Sequence, residues 1–377
     1  MDVETTTFQH GSVYSARNKL CYVGIRTRGV NHLYDIEYDG RPYGGQLREI
    51  QDLLSTCDPI VVFNGKFDLG WLKRYGVDNF GNVWDCQLAE FLDLNQTTPF
   101  PSLDAALQRR GLAPKTHVVE EEFWNRGIDT PDIPRHILEE YLSNDLVRTE
   151  DLYKAQLVGI PDSKRSLLRL QNQDLLVLLE MESNGIRFDF GAMDRERESL
   201  QSQLQVLDHK LDQYTDGFSH FNWDSGDHVS CLLYGGTISV DVAEPYEHTY
   251  KGGAKAGTTE TRNRWSTITK TYPRLCEPVK GSELKKPGYW SVDEGTLRKT
   301  RGAKKLVDLI LTRSKIEKVI GTYLEGIPKH LEKYDWQDGI IHGQFNQCVA
   351  ITGRLSSEKP NQQNFPESIS NFIISRG

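Results

Sequence analysis

Long apolar runs, paired cysteines and a basic leader are all missing from this 377-residue chain, and each absence excludes a class of function. No stretch approaches the roughly 18 uninterrupted apolar residues that a membrane-crossing helix needs, so no membrane partner is expected. The six cysteines, Cys21, Cys57, Cys86, Cys231, Cys276 and Cys348, include no CxxC pair. Neither a zinc site nor a disulfide framework is indicated, and a reducing cytoplasm, bacterial or phage-infected, is the expected setting. The chain starts at once with Met1-Asp2-Val3-Glu4, without the basic stretch and apolar segment of a secretory signal. Apolar residues at 37% and charged residues at 26% fit a soluble globular protein. The length exceeds one ordinary core, so two domains, or one with a large appendage, are expected.

Charge is present but unevenly spread. The net value is -8, yet residues 251 to 318 hold 17 Lys and Arg against 7 Asp and Glu, leaving -18 for the remainder. A basic region of this kind is either a solvated surface or a face that meets phosphates.

Four acids and a tyrosine carry the candidate chemistry. Asp2 and Glu4 read as the end of a strand, where side chains two apart share a face. Asp68 follows the short apolar strand Ile60-Val61-Val62-Phe63 and falls in the first turn of a helix that Asn64 can cap and Gly76 can end. Tyr141 and Asp145 stand i, i+4 in a helical stretch of about 133 to 153 and project from one face. Any one of these acids alone reads as a surface charge or a cap; three spaced motifs that can converge suggest a two-metal nuclease.

Residues 1 to 158 alternate short strands (20–25, 32–36, 59–63) with helices after Asp68, Asp85, Ser102 and Pro134, an α/β pattern. Asp85 and Ser102 are most simply N-caps. Gly159 to Asp162 breaks the pattern and marks a domain boundary, and a long helix follows to Asn184-Gly185. Residues 163 to 336 read as mainly helical, with a Gly-, Thr- and Lys-rich hairpin insertion at about 235–290; residues 337 to 377 begin a further domain, with a strand at 339–349.

Asp2-x-Glu4, Asn64-Gly65-Lys66-Phe67-Asp68 and Tyr141-x-x-x-Asp145 resemble, in that order, the three motifs of proofreading exonucleases. The second half resembles the family A (DNA polymerase I type) enzymes, phage-like in flavour. The stretches that carry this are Met181-Glu182-Ser183-Asn184-Gly185-Ile186, Phe221-Asn222-Trp223-Asp224-Ser225-Gly226, Thr352-Gly353-Arg354-Leu355-Ser356-Ser357 and Pro360-Asn361-Gln362-Gln363-Asn364-Phe365-Pro366.

The resemblance implies a ribonuclease H-like exonuclease domain with a mixed central sheet flanked by helices. A mainly α thumb with a β-hairpin insertion, and the first strands of an incomplete palm, would follow. It implies 3′-5′ hydrolysis of DNA in replication, with Asp2, Glu4, Asp68 and Asp145 holding two divalent cations, magnesium or manganese, and Tyr141 orienting the attacking water. Asn64 would help order the site, and Trp124 is a stacking candidate more at home in a core. Arg354 would meet DNA near the primer terminus, while Arg298, Lys299, Arg301, Lys304 and Lys305 would grip duplex phosphates. The expected substrate is a single-stranded 3′ end, with a primer-template duplex as the larger partner. The polymerase carboxylate motifs of palm and fingers are absent, so DNA synthesis is not expected of this chain alone; a second polypeptide carrying them, or a processivity factor on the hairpin insertion, would be partners. Only Met1 precedes Asp2, which predicts a frayed first strand.

Overall fold

A computed structural model describes residues 1–38, 44–253, 255 and 257–375. In chain order the elements begin β1 (Asp2–Thr5), β2 (Leu20–Thr27), β3 (Val30–Asp35), α1 (Gly44–Ser55), β4 (Ile60–Val62), α2 (Gly65–Arg74), β5 (Val83–Asp85) and α3 (Cys86–Asp93). Next come α4 (Leu103–Arg109), α5 (Val118–Glu122), α6 (Arg135–Gly159), α7 (Asp162–Asn184), β6 (Ile186–Arg187), α8 (Phe190–Asp212) and α9 (Gly226–Tyr234). Two long strands, β7 (Gly236–Thr249) and β8 (Thr259–Tyr272), lead to α10 (Glu294–Leu297), α11 (Lys304–Lys318) and α12 (Gly326–Tyr334). The last elements are β9 (Ile340–Ile341), β10 (Gln344–Asn346), β11 (Ser356–Glu358) and α13 (Glu367–Ser370).

Contacts divide the chain into Met1–Phe190 with Ile327–Gly377, and Gly191–Gly326. These divisions differ from the sequence-based boundaries near 160 and 337. Helix α7 stays with the first unit because Leu168, Leu175 and Leu179 enter the same core as Val3, Val23, Val62 and Leu72.

In the first unit, β1 and β3 flank β2 in an antiparallel sheet, with Asp2 opposite Gly24 and Glu4 opposite Tyr22. Strands β4 and β5 pair in parallel, and the Met1 ammonium donates to the Val61 carbonyl at 2.8 Å, tying β1 to β4. The first strand is therefore paired and held rather than frayed. Helix α6 buries Leu138, Tyr141, Leu142, Asp145, Leu146, Thr149 and Leu152, one face at helical spacing. It comes close because residue 24 is glycine: a Cβ there would lie 2.9 Å from both Leu142 Cγ and Leu146 Cδ1. Since Gly24 is opposite Asp2, this contact brings the helix bearing Asp145 over the strand bearing Asp2 and Glu4.

The turn from β4 into α2 needs Gly65, whose Cβ would fall 2.5 Å from Val62 Cγ2. Asn64 precedes it with left-handed backbone (φ 64°), and its side chain makes no capping bond. The expectation that Asn64 caps α2 is corrected: the Asp85 carboxylate takes the Gly65 amide at 2.7 Å. Asp85 also caps α3, accepting from the amides of Gln87 and Leu88, and Ser102 caps α4 through the Ala105 amide, as their positions predict. Gly76, at φ 85°, ends α2 as expected.

The strand expected over 339–349 is broken at His342-Gly343 into β9, paired with β6, and β10, paired with β11. Lys66 donates to Glu182 and to the Phe345 carbonyl, both at 2.6 Å, joining α2, α7 and β10.

The second unit packs Leu211, Leu232, Tyr234, Ile238, Tyr272, Leu306 and Ile310 into its own core. Its hairpin insertion is one ladder, from Gly236 opposite Tyr272 to Thr249 opposite Thr259. Beyond the base its residues are largely exposed, Trp265 at 66%. Arg313 is buried and ion-paired to Asp208 at 2.7 Å and Asp224 at 2.6 Å, which gives the Asp of the 221–226 stretch a structural part.

Candidate active site

Strand β1 supplies Asp2 and Glu4, the first turns of α2 supply Asp68, and the middle of α6 supplies Tyr141 and Asp145. Helices α2 and α6 both pack against β1, and the acids feel one another. The Asp2 charge acts on Asp68, and the Met1 ammonium acts on both.

Every one of these acids binds its proton more tightly than usual. Burial is the first cause in each case. Asp2 repels Glu4, Asp68 and Asp145 in addition, and Asp145 repels Glu4; the Met1 ammonium and Lys115 work the other way on Asp2. The Asp145 carboxyl is pushed up to about 7. Burial, followed by the charges of Glu4 and Asp145, drives the Tyr141 phenol well above its ordinary range, so it is a neutral hydroxyl.

The donor set fits hard divalent cations in its chemistry. All four side chains are carboxylates, and two buried oxygens, Asp68 Oδ2 and Asp145 Oδ1, have no hydrogen-bond partner. The side chains are not gathered into a closed coordination shell: among the described residues no group of three or more His, Cys, Asp or Glu is placed to hold a metal ion. The crowded, mutually repelling carboxyl groups and the orphan oxygens are the features a cation would satisfy.

A cavity of about 330 Å³ opens beside Glu4, lined by Thr5, Thr7, His10, Phe67 and Trp124. Trp124 meets Tyr141 edge to face, with centroids 5.9 Å apart, and donates its indole N–H to Thr130. Trp124 packs against the core cluster of Leu138, Tyr141 and Leu142, as expected, and one of its faces also lines this cavity.

Sequence reasoning missed Lys115. Its Nζ lies 2.5 Å from Glu120 Oε1, 3.0 Å from the Tyr141 hydroxyl and 3.8 Å from Asp145 Oδ2. Nothing in its spacing marks it, because it reaches the site from an irregular loop that only the fold brings beside α6.

The remaining expected residues are carried by other elements. Asn64 is exposed at the start of α2 and lines a separate cavity with Asp85 and Phe100. Arg354 is exposed in the loop before β11. Arg298, Lys299, Arg301, Lys304 and Lys305 are exposed around the start of α11 in the second unit, Arg298 tied to Glu294.

Comparison with known proteins places this geometry in context. Residues 271–375 match the model of DNA polymerase family A. Relatives align over most of the chain: DNA polymerase I of Synechocystis sp. at 27% identity over 84% of it, and that of Bacillus subtilis at 24% over 81%. The DNA polymerase of Bacillus phage SP01 aligns at 21% over 88%. The chain is a relative of the family A DNA polymerases.

It spans only 28% to 36% of the length of those polymerases. A solved POL domain of Pol1 from M. smegmatis, in complex with DNA primer-template and dNTP, shares the fold with a TM-score of 0.61 at 18% identity; the match covers 95% of this chain and 52% of that one. The segment matched by the family A model contains Arg354 and the basic residues near α11 and none of the four acids.

Proposed function

We propose that the chain is the proofreading part of a family A DNA polymerase, a 3′-5′ exonuclease built on a ribonuclease H-like sheet. The observation that carries this reading is the buried quartet of Asp2, Glu4, Asp68 and Asp145, mutually repelling, with two orphan oxygens, beneath a neutral Tyr141.

Asp2, Glu4 and Asp145 would hold one magnesium or manganese ion, and Asp2 with Asp68 the second. When bound, such ions supply the positive charge that activates water and stabilises the departing 3′ oxygen. The protein's own groups do the rest. Tyr141 holds the water by a hydrogen bond and, as a neutral phenol, takes no proton. The cavity between Phe67 and Trp124 is suited to an unpaired terminal nucleoside, because an aromatic wall stacks on any base and reads none. Lys304, Lys305 and their neighbours, with Arg354, would contact the duplex, and the exposed hairpin is the place for a processivity factor.

The test is magnesium-dependent release of nucleotides from a 3′-labelled single strand, with primer-template carrying a 3′ mismatch as second substrate. Asp145→Ala should lower the rate by about 10³-fold, equivalent to ~4 kcal/mol of transition-state stabilisation. A variant as active as the parent would sink the assignment.

The alternative is a non-catalytic DNA-binding half of a split polymerase. It draws on the POL-domain neighbour, half of which has no counterpart here. Primer extension restored by a second chain carrying palm and fingers, in a preparation without nuclease activity, would favour it.

A further inference from the structure

The loop between α4 and α5 is pinned at both ends of its approach to the site. The Lys115 amide donates to Asp104 Oδ1 at 3.2 Å, and the Thr116 amide donates to Asn144 Oδ1 at 3.2 Å, on α6 beside Asp145. The Lys115 side chain, 15% exposed, is thereby delivered to the Tyr141 hydroxyl at 3.0 Å. Glu120 completes a triangle: it accepts from Lys115 at 2.5 Å and from the Tyr141 hydroxyl at 3.2 Å. Its second oxygen is 2.5 Å from His117 Nδ1, whose Nε2 is 3.1 Å from Asp104.

These contacts have a direction. A phenol has one proton and two lone pairs; an ammonium only donates and a carboxylate only accepts. Lys115 therefore occupies one lone pair of the Tyr141 oxygen, and Glu120 accepts the hydrogen bond that the hydroxyl donates. One lone pair remains, so any third partner of this hydroxyl must donate to it. A water that donates a hydrogen bond to Tyr141 keeps its own lone pairs for the phosphorus.

We propose that Lys115 and Glu120 are positioning residues that fix the Tyr141 hydroxyl as a hydrogen-bond acceptor toward the attacking water. The assignment rests on the nuclease reading, and it makes neither residue a proton carrier. It explains why a basic side chain is held against an acid cluster whose carboxylates could otherwise turn the phenol proton toward themselves.

The experiment uses the full chain as parent, Lys115→Met, Lys115→Arg, Glu120→Gln, Tyr141→Phe and the double variant Lys115→Met/Tyr141→Phe. Activity is read on oligodeoxythymidylate with magnesium. Displacement of a reacting group by a fraction of an ångström lowers kcat by about 10- to 100-fold. Lys115→Met and Tyr141→Phe should each show such a loss with KM within about threefold of the parent, and Lys115→Arg should recover most of it. The double variant should be no slower than Tyr141→Phe, because both changes remove one arrangement. Losses that multiply, or a Lys115→Met variant within about threefold of the parent, overturn the proposal.

A second readout needs neither metal nor turnover. In chain labelled with 3-fluorotyrosine, the residue-141 fluorine resonance is assigned by its disappearance in Tyr141→Phe. It should move in both Lys115→Met and Glu120→Gln in metal-free buffer. If the parent releases no nucleotide, the nuclease reading fails by itself; the fixed polarity of Tyr141 is then supported by a moved resonance and overturned by an unmoved one.

Discussion

Asp145→Asn should make the metal-free protein more stable, and only at neutral to alkaline pH. The native Asp145 carboxyl titrates at about 7 against an ordinary value of 3.8, burial and Asp2 outweighing the opposing pull of Lys115. A folded-state pKa raised above the unfolded one means that the native chain binds the proton more tightly. Stability is then greatest below about pH 4, falls as pH rises through 7, and levels off above it. About three units at ~1.4 kcal/mol each is a penalty of ~4 kcal/mol for holding this charge. Asparagine keeps the shape and removes the charge, but places an amide where Oδ1 already has no partner, at a cost of ~1–3 kcal/mol. The net gain near pH 8 is about 2 kcal/mol, or ~4–8 °C in the unfolding midpoint for a unit of this size. Calorimetry in EDTA at several pH values between about 4 and 8 measures it. Magnesium should raise the midpoint of the parent more than that of the variant, since the ion offsets the same repulsion. A variant no more stable than the parent near pH 8, or one with the same difference at both ends of the range, would refute the claim that burial and the Asp2 charge strain the Asp145 carboxylate.

Two further outcomes follow from other parts of the molecule. Lys66→Met leaves the buried Glu182 carboxylate with only the Phe345 amide at 2.7 Å; because Lys66 is 22% exposed the cost is discounted to ~2–3 kcal/mol in a urea titration, and Lys66→Met/Glu182→Leu should recover most of it. A single-variant loss below ~0.5 kcal/mol would show the ion pair to be idle. In the second unit, Lys304→Ala and Lys305→Ala should each weaken primer-template binding across all sequences and reduce the salt dependence of the affinity by about one ion; an unchanged slope would remove α11 from the DNA surface.

What could be read in the sequence follows the physics of local order. Strands β2 and β4 and helices α6 and α7 show themselves because one face of each is apolar at a fixed period, and the caps Asp85 and Ser102 because a helix start leaves amides that a short polar side chain can take. The acids were legible because strand and helix spacing each restrict which side chains share a face. Helix α1 was not anticipated, although Leu47, Ile50, Leu53 and Leu54 recur at helical spacing. The Asn64 cap was a local inference defeated by a longer-range one: Asp85, twenty residues downstream of Gly65, reaches the same amide from the neighbouring parallel strand.

Lys115 marks the limit of such reading. Asp2 and Glu4, two apart on a strand, and Tyr141 and Asp145, one helical turn apart, are each related by the chain itself, and the distance within each pair can be argued before any fold is known. Lys115 is brought to Tyr141 by Asp104 on one side and Asn144 on the other, whose side-chain oxygens, on separate helices, accept hydrogen bonds from consecutive amides of an irregular loop. No periodicity encodes that. The same reasoning accounts for Gly24. In the sequence it is an unremarked glycine within an apolar strand, and in the fold it is the gap that lets Leu142 and Leu146 seat α6 on β2 opposite Asp2. A methyl group there would move the helix off the sheet and separate Asp145 from Asp2, so the acid cluster depends on a residue with no side chain as directly as on its own carboxylates.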